Sequence, residues 1–362
     1  MGSEKRRVAI VGATGMVGQR FLSLLAGHPW FEVTCVAASA RSAGVSYAEA
    51  VQGRWAFPWP VPAQYAHLPV LDGAQVDEVA RQADFVFCAV DMEKEDIRAL
   101  EEAYARTETP VVSNNSAHRL TPDVPMIIPE LNPEHAQVIA AQRARLGTRV
   151  GFITVKPNCS IQSYVPALHA LRAFQPTRAV VSTYQAISGA SKTFDRWPEM
   201  VDNVIPYIGG EEEKSEQEPL KIWGHVQDGQ IVLAQAPTIS AHCVRVAAAD
   251  GHLATVSVSF AHKPTREQIL TAWRTFSGVP QALHLPSAPQ PFLRYFEEND
   301  RPQTRLDRDY ERGMGVTMGR LREDSLFDYR FVGLSHNTVR GAAGGAILTA
   351  ELLCAQGYIP QK

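Results

Sequence analysis

The sequence predicts an α/β protein: a doubly wound parallel sheet in the first half, then a second domain of α+β type, and a closing helix. Three observations predict this. Short apolar strands alternate with helical patterns between residues 8 and 113, and a glycine-spaced turn joins the first strand to the first helix. Beyond residue 175 the strands lengthen and are separated by loops more than by regular helices, which suits a mixed or antiparallel sheet and a subunit interface.

Val8, Ala9, Ile10 and Val11 make the first strand, and Phe21, Leu22, Leu24 and Leu25 recur at helical spacing after it. Between them stand Gly12, Ala13, Thr14, Gly15, Met16, Val17 and Gly18. Glycines three apart let the chain turn tightly, bring backbone close to a pyrophosphate and aim helix N–H groups at it. The pattern is GxxGxxG rather than GxGxxG, so its strand-turn-helix setting carries the reading of a dinucleotide site. The strand at 33–38 ends in Ser39, Ala40, Arg41, Ser42, Ala43 and Gly44, with no carboxylate for a ribose 2′-hydroxyl. Two hydroxyls and an arginine suit a 2′-phosphate, so NADP is preferred over NAD. Residues 46–71, rich in Pro and aromatics, read as an irregular excursion with short extended pieces. A strand at 83–90, an acidic helix at 93–106 and a strand at 110–113 continue the alternation. The loop that follows places Asn114 and Arg119 at a strand's carboxyl end, where they suit an oxyanion, although an arginine there also suits plain solvation. Asn132 reads as a helix N-cap with Pro133 at the first helical position.

The apolar run 151–155 reads as a buried strand and 161–174 as a helix, with Lys156, Pro157, Asn158, Cys159 and Ser160 at the turn between them. A thiol at a helix N-terminus is expected to have a lowered pKa, the setting of a nucleophile; the other reading is a small buried thiol that only packs. In the second half, residues 178–187 and 251–260 read as strands. The latter alternates Leu253, Thr255, Ser257 and Ser259 against Ala254, Val256, Val258 and Phe260, which fits a sheet with two different faces. Residues 337–353 close the chain as an apolar helix, whose small residues allow close backbone approach.

Composition narrows the function classes. A formal charge of −3 offers no basic field for nucleic acid, so a small-molecule partner is expected. Cys35, Cys88, Cys159, Cys243 and Cys354 are odd in number and contain no CxxC pair, which argues against a disulfide framework or zinc knuckle and for a reducing compartment. The apolar run near the start ends at Gly12, too soon for a signal-peptide core or membrane span. A cytoplasmic protein with no bound metal is the expectation.

Motifs in one order over nearly the whole chain carry a resemblance: GATGMVG from Gly12, SNNSAHR from Ser113, PNCS from Pro157, YQAISGA from Tyr184, EEEK from Glu211 and NTVRGAAGGAIL from Asn337. Together they resemble the aspartate-β-semialdehyde dehydrogenase family, in its archaeal and fungal branch. The resemblance implies that Cys159 carries an acyl thioester, that His252 is the general acid/base and that Gln185 orients the substrate. It implies that Arg245 clamps an α-carboxylate beside Asn158, that Glu211 meets an ammonium, and that Lys214, Arg119 and Asn114 bind phosphate. Gly12, Thr14, Gly15, Met16, Val17, Ser39, Arg41, Ser42, Ser188, Gly189 and Asn337 would line the NADP site. It further implies a Rossmann-like cofactor domain at 1–157, a catalytic and dimerisation domain at 158–336, a C-terminal helix at 337–362 returning to the first, and a homodimer or homotetramer.

The implied reaction is NADP-dependent reductive dephosphorylation of L-aspartyl-4-phosphate to L-aspartate-4-semialdehyde, on the way to lysine, methionine and threonine. Physical logic agrees with those roles. A thiolate divides the task, first displacing phosphate and then presenting a thioester carbonyl for reduction. Histidine moves protons near neutrality, and a planar arginine reads a carboxylate in bidentate fashion. Plainer roles exist for each residue: His242 and His262 rival His252, and the run from Glu211 to Glu218 also reads as a solvated helix face. An acyl-CoA reductase of the malonyl-CoA type would keep Cys159 and His252 without needing Glu211. A redox-sensing NADP-binding protein would leave the nucleophile turn unexplained.

Overall fold

A computed structural model describes residues 5–361. β1 (Arg6–Val11), β2 (Phe31–Ala38), β3 (Val70–Asp72), β4 (Phe85–Cys88), β5 (Val111–Ser113) and β6 (Ile153–Val155) form a six-stranded sheet in the order β3-β2-β1-β4-β5-β6. Every pairing in it is parallel. The order reverses between β1 and β4, so a crevice opens at their carboxyl ends, where the glycine turn leads into the helix Met16–Leu25. The acidic helix runs Lys94–Arg106 with Glu93 at its N-cap. The excursion at 46–71 is mostly turns and two four-residue helices, but it ends in β3, which the irregular pattern had hidden.

The second sheet gathers β7 (Pro176–Gln185), β8 (Val204–Ile205), β11 (Thr238–Val246), β12 (His252–Phe260), β13 (Leu293–Phe296), β14 (Val316–Glu323) and β15 (Tyr329–Ser335). Its order is β13-β14-β15-β12-β7-β11-β8, while β9 (His225–Gln227) and β10 (Gln230–Val232) form a separate hairpin. This is the mixed sheet expected: β11 runs parallel to β7, and β12 antiparallel to it. Along β12, His252, Ala254, Val256, Val258 and Phe260 are buried and the alternate residues half-buried, as the two-faced pattern predicts.

That arrangement positions the site. β7 ends at Gln185, which pairs with Arg245 on β11, and β12 begins at His252 next to the Leu253–Tyr184 pair. Three side chains separated by up to 67 positions in the chain (185 to 252) therefore emerge at one end of three adjacent strands.

Three local expectations are corrected. The helix expected at 161–174 is broken into a 3-10 turn Ser160–Ser163, a short helix Val165–His169 and a second turn Arg172–Phe174. Pro166 is the physical reason, because it has no N–H for the carbonyl of Gln162 and its ring clashes with that carbonyl. Asn132 stands at the N-cap before Pro133 but does not cap with its side chain. Its amide instead accepts from Ile128 N at 2.9 Å and donates to Met126 O at 2.8 Å, tying down the preceding loop. The apolar C-terminal helix begins only at Gly344 and runs to Ala355, after a wide turn Val339–Ala343 interrupted at Ala342. Gly344 to Cys354 are all buried, which explains an apolar pattern on every face. On this helix Glu351 bonds to His28 at 2.8 Å and Ser287 at 2.6 Å, beside the first helix.

The glycines of the first turn divide by what surrounds them. A Cβ at Gly12, where φ is +90°, would sit 2.1 Å from the carbonyl oxygen of Ala89, whereas at Gly15 the nearest atom is 3.5 Å away. Gly12→Ala is therefore expected to lower unfolding stability by about 3 kcal/mol or more, and Gly15→Ala by about 1 kcal/mol or less, in urea titrations. Equal losses for the two variants would refute this division.

Candidate active site

Cys159 stands at the entrance to the 3-10 turn, and its Sγ lies 3.4 Å from Nε2 of His252. His252 is completely buried, and the N–H of Ala186 donates to its Nδ1 at 3.1 Å. Nδ1 is thereby an acceptor, so the neutral ring carries its proton on Nε2 and presents it to the sulfur. Burial, reinforced by the Arg245 charge, pulls the His252 pKa down to about 3, so the ring is neutral at ordinary pH.

The thiol behaves differently from the sequence expectation. Protein packed around the sulfur pushes the Cys159 pKa up to about 11; Glu211 adds to the rise, and Lys156, Arg119 and Arg245 oppose it. A four-residue 3-10 turn supplies far less dipole than the helix expected there, so burial wins. The residue still keeps partial exposure, which leaves an approach to the sulfur.

Around this pair the expected substrate residues assemble. Arg245 is buried and donates NH1 to Ala186 O at 2.7 Å, so its fork is held at the end of β11. Of the three consecutive glutamates, Glu211 faces inward: its carboxylate accepts from Asn158 Nδ2 at 2.9 Å, Gln185 Nε2 at 3.2 Å and Lys214 Nζ at 2.8 Å. Glu212 turns to the backbone N–H of Cys243, and Glu213 is exposed. Gly189 fits tightly here, since a Cβ on it would lie 2.8 Å from Arg245 NH1 and 3.0 Å from the His252 ring.

Arg119 reaches the same centre but is already engaged. It donates to Lys156 O at 3.0 Å, to Glu218 Oε1 at 2.9 Å and to Asn114 O at 3.2 Å, leaving two of its five N–H groups for an anion. Asn114 keeps a buried side-chain Nδ2 with no partner, a donor suited to a phosphate oxygen. Glu218 is the residue that sequence reasoning missed. Its second oxygen accepts from Asn158 N at 2.6 Å, so one buried carboxylate ties the nucleophile turn to Arg119. A signal existed: on the helix Glu211–Ile222, Glu211, Ser215, Glu218 and Ile222 are all buried and fall at helical spacing, a polar stripe continuous with an apolar residue.

The crevice side fits a dinucleotide phosphate. Gly15 stands at the N-cap of the helix Met16–Leu25, where a Cβ would meet only Gly12 O at 3.5 Å, with Thr14 and Val17 flanking. Ser39 and Arg41 are exposed at the tip of β2, whereas Ser42 is mostly buried and lies 3.4 Å from a guanidinium nitrogen of Arg54. Arg54, twelve positions on in the irregular excursion, is a second cation that spacing could not have revealed. Asn337 donates to Ser188 Oγ at 2.8 Å and accepts from Gly251 N at 2.8 Å, joining two expected cofactor residues. The excursion also gains a purpose. Phe57 and Trp59 stack at 5.0 Å, the Arg20 guanidinium lies 4.1 Å over Phe57, and with Met16, Ser188 and His336 they line a cavity of about 490 Å³. No helix among the described residues is long and apolar enough to cross a membrane.

Comparison with known proteins shows the family. A family model described as semialdehyde dehydrogenase, NAD binding domain, matches residues 7–139, and one described as semialdehyde dehydrogenase, dimerisation domain, matches residues 167–340. The chain is similar to aspartate-semialdehyde dehydrogenase of Aspergillus fumigatus, at 40% identity over 98% of this chain and 99% of the relative. It is similar to that of Methanothermobacter thermautotrophicus at 42% identity, over 96% and 98%. Among solved structures it resembles aspartate semialdehyde dehydrogenase with NADP from Candida albicans, with a TM-score of 0.88 and 36% identity over 98% of this chain and 100% of that one.

Glu218→Gln is expected to slow alkylation of Cys159 and to lower unfolding stability by about 3 kcal/mol, because one amide cannot satisfy both Asn158 N and the Arg119 charge. Glu213→Gln, on the exposed face, should do neither. Peptide-level mass spectrometry and urea titration measure both effects.

Proposed function

The chain belongs to the aspartate-semialdehyde dehydrogenase family, and from that premise we propose that it reduces L-aspartyl-4-phosphate to L-aspartate-4-semialdehyde with NADPH through a thioester on Cys159. The observation that carries this reading is the 3.4 Å contact between Cys159 Sγ and His252 Nε2, with Arg245, Gln185 and Glu211 around it. In the reading, Arg245 holds the substrate α-carboxylate and Glu211 its ammonium, which places the acyl carbon against the sulfur. The thiolate attacks that carbon, and the carbon–oxygen bond to phosphate breaks. Phosphate leaves toward Asn114, Arg119 and Lys214. The Nε2–H of His252 donates to the oxygen or sulfur that gains charge, which its fixed tautomer favours. Bound NADPH supplies the hydride for the thioester carbonyl. Gln185 and Asn158 keep the acyl group and Glu211 in register.

Preference for NADP over NAD is supported by the missing carboxylate at the tip of β2 and by the two arginines, Arg41 and Arg54, near Ser39 and Ser42. The family resemblance supports a cofactor domain at 1–157, a catalytic and dimerisation domain at 158–336 and a C-terminal helix at 337–362. A homodimer or homotetramer is supported by the apolar side chains of Val180 and Tyr184, exposed on β7. Five free thiols suit the cytoplasm, and the product would enter lysine, methionine and threonine synthesis.

NADP+, phosphate and aspartate semialdehyde should yield NADPH absorbance with the purified protein, and Cys159→Ala should abolish it. Turnover only with malonyl-CoA and NADPH would reject this reading in favour of an acyl-CoA reductase, for which Glu211, already paired with Lys214, would need no substrate ammonium. Arg245→Lys keeps the charge but loses the planar fork, so KM for the semialdehyde should rise about tenfold or more with a smaller change in kcat. Unchanged kinetics would remove Arg245 from the substrate pocket.

A further inference from the structure

One buried charge beside the nucleophile has no role so far. Lys156 precedes Cys159 by three residues, is 3% exposed, and among the described residues makes one hydrogen bond, from Nζ to Pro157 O at 3.1 Å. An ammonium has three donors, so two are left without a protein acceptor. Room for the side chain is made by the last segment of the chain. A Cβ on Gly345 would lie 2.8 Å from Lys156 Cε, and a Cβ on Gly341 would lie 2.8 Å from Cys159 Cβ. Gly341 and Gly345 stand on either side of the break at Ala342, and each lacks a side chain where Cys159 and Lys156, respectively, pack.

His252 cannot supply the compensating charge. While Nδ1 accepts the Ala186 N–H, the ring holds one proton and stays neutral, so a thiolate formed beside it would be an uncompensated buried charge. We propose that Lys156 is a positioning residue for the nucleophile, its buried ammonium being the counter-charge that allows Cys159 to exist as thiolate. The proton that leaves the sulfur ends on Nζ: an S–H bond breaks, an N–H bond forms, and the net charge of the pocket does not change. This rests on Cys159 being the nucleophile.

Burial opposes the charged pair, and the attraction between the two groups favours it. Burial pulls Lys156 down to about 7, within reach of accepting a proton near neutrality, and the Cys159 charge is foremost in opposing that fall. Arg119 and Arg340 press it lower and Glu218 raises it. On the cysteine side, Lys156 is foremost among the cations that oppose the rise, ahead of Arg119 and Arg245, with Glu211 acting against them.

The test is the pH dependence of Cys159 alkylation by iodoacetamide in the full-length protein without substrate or cofactor, followed by mass spectrometry of the Cys159 peptide. Lys156→Met should move the midpoint up by about one pH unit or more. Lys156→Arg, which keeps a cation, should stay near the unmodified protein. Lys156→Gln, which keeps a hydrogen-bond donor for Pro157 O but carries no charge, should shift the midpoint upward too, and it serves if Lys156→Met does not fold. A folded Lys156→Met, or a folded Lys156→Gln, with an unmoved midpoint would overturn the proposal. No turnover is involved, so an unmoved midpoint counts against Lys156 alone, whereas absence of an acyl adduct on Cys159 would count against the nucleophile.

Discussion

A single carboxylate holds the reactive turn in place. Glu218 accepts from the backbone N–H of Asn158 with one oxygen and from Arg119 with the other, while Arg119 reaches back to the carbonyls of Lys156 and Asn114. The turn that follows β6 is thus tied to the loop that follows β5 and to a helix of the second sheet's domain. Hydrogen bonds to charged groups in a low-dielectric interior are the strong ones, and a buried charge that loses its partner is costly. The two halves of the chain therefore cannot separate at this point without exposing or stranding charge, which keeps Cys159 within reach of His252.

Burial works on every ionisable group in the centre and pushes each toward its neutral form. Cys159 rises, Lys156 and His252 fall, and Arg245 is lowered as well. A thiolate formed in this centre, as proposed, would depend on paired charges rather than on solvent. Glu211 shows how that is managed: enclosed as it is, its pKa stays below the usual carboxylate value, because Lys214, Gln185 and Asn158 together outweigh burial. The same carboxylate raises the thiol, so the pocket is balanced between opposite charges.

The crevice and the Cys159–His252 centre meet through Gly189 and Ser188. Ser188 lines the cavity beside Met16 and bonds to Asn337, while Gly189 lies against Arg245 and His252 with no room for a side chain. In the proposed reaction, this close backbone approach would let a hydride donor in the crevice reach an acyl group on Cys159. The aromatic excursion at 55–59 closes the far wall, with Arg20 stacked on Phe57.

Local order was what the sequence by itself determined. Short apolar runs marked the parallel strands other than β3, glycine spacing marked the crevice turn, and strict alternation along β12 marked which residues face inward, since each depends on neighbours within a few positions. Motif resemblance brought Cys159, His252, Gln185, Arg245 and Glu211 onto one list, and the strand order β12-β7-β11 explains why His252, Gln185 and Arg245 meet. Only the tertiary structure decided the charges. Glu218 and Lys156 look like ordinary surface residues in sequence, because burial is a property of what packs over a side chain, and the covering elements lie far away in the chain. For the same reason the expected low pKa of Cys159 was reversed: a turn's dipole is local, but desolvation is set by the whole fold.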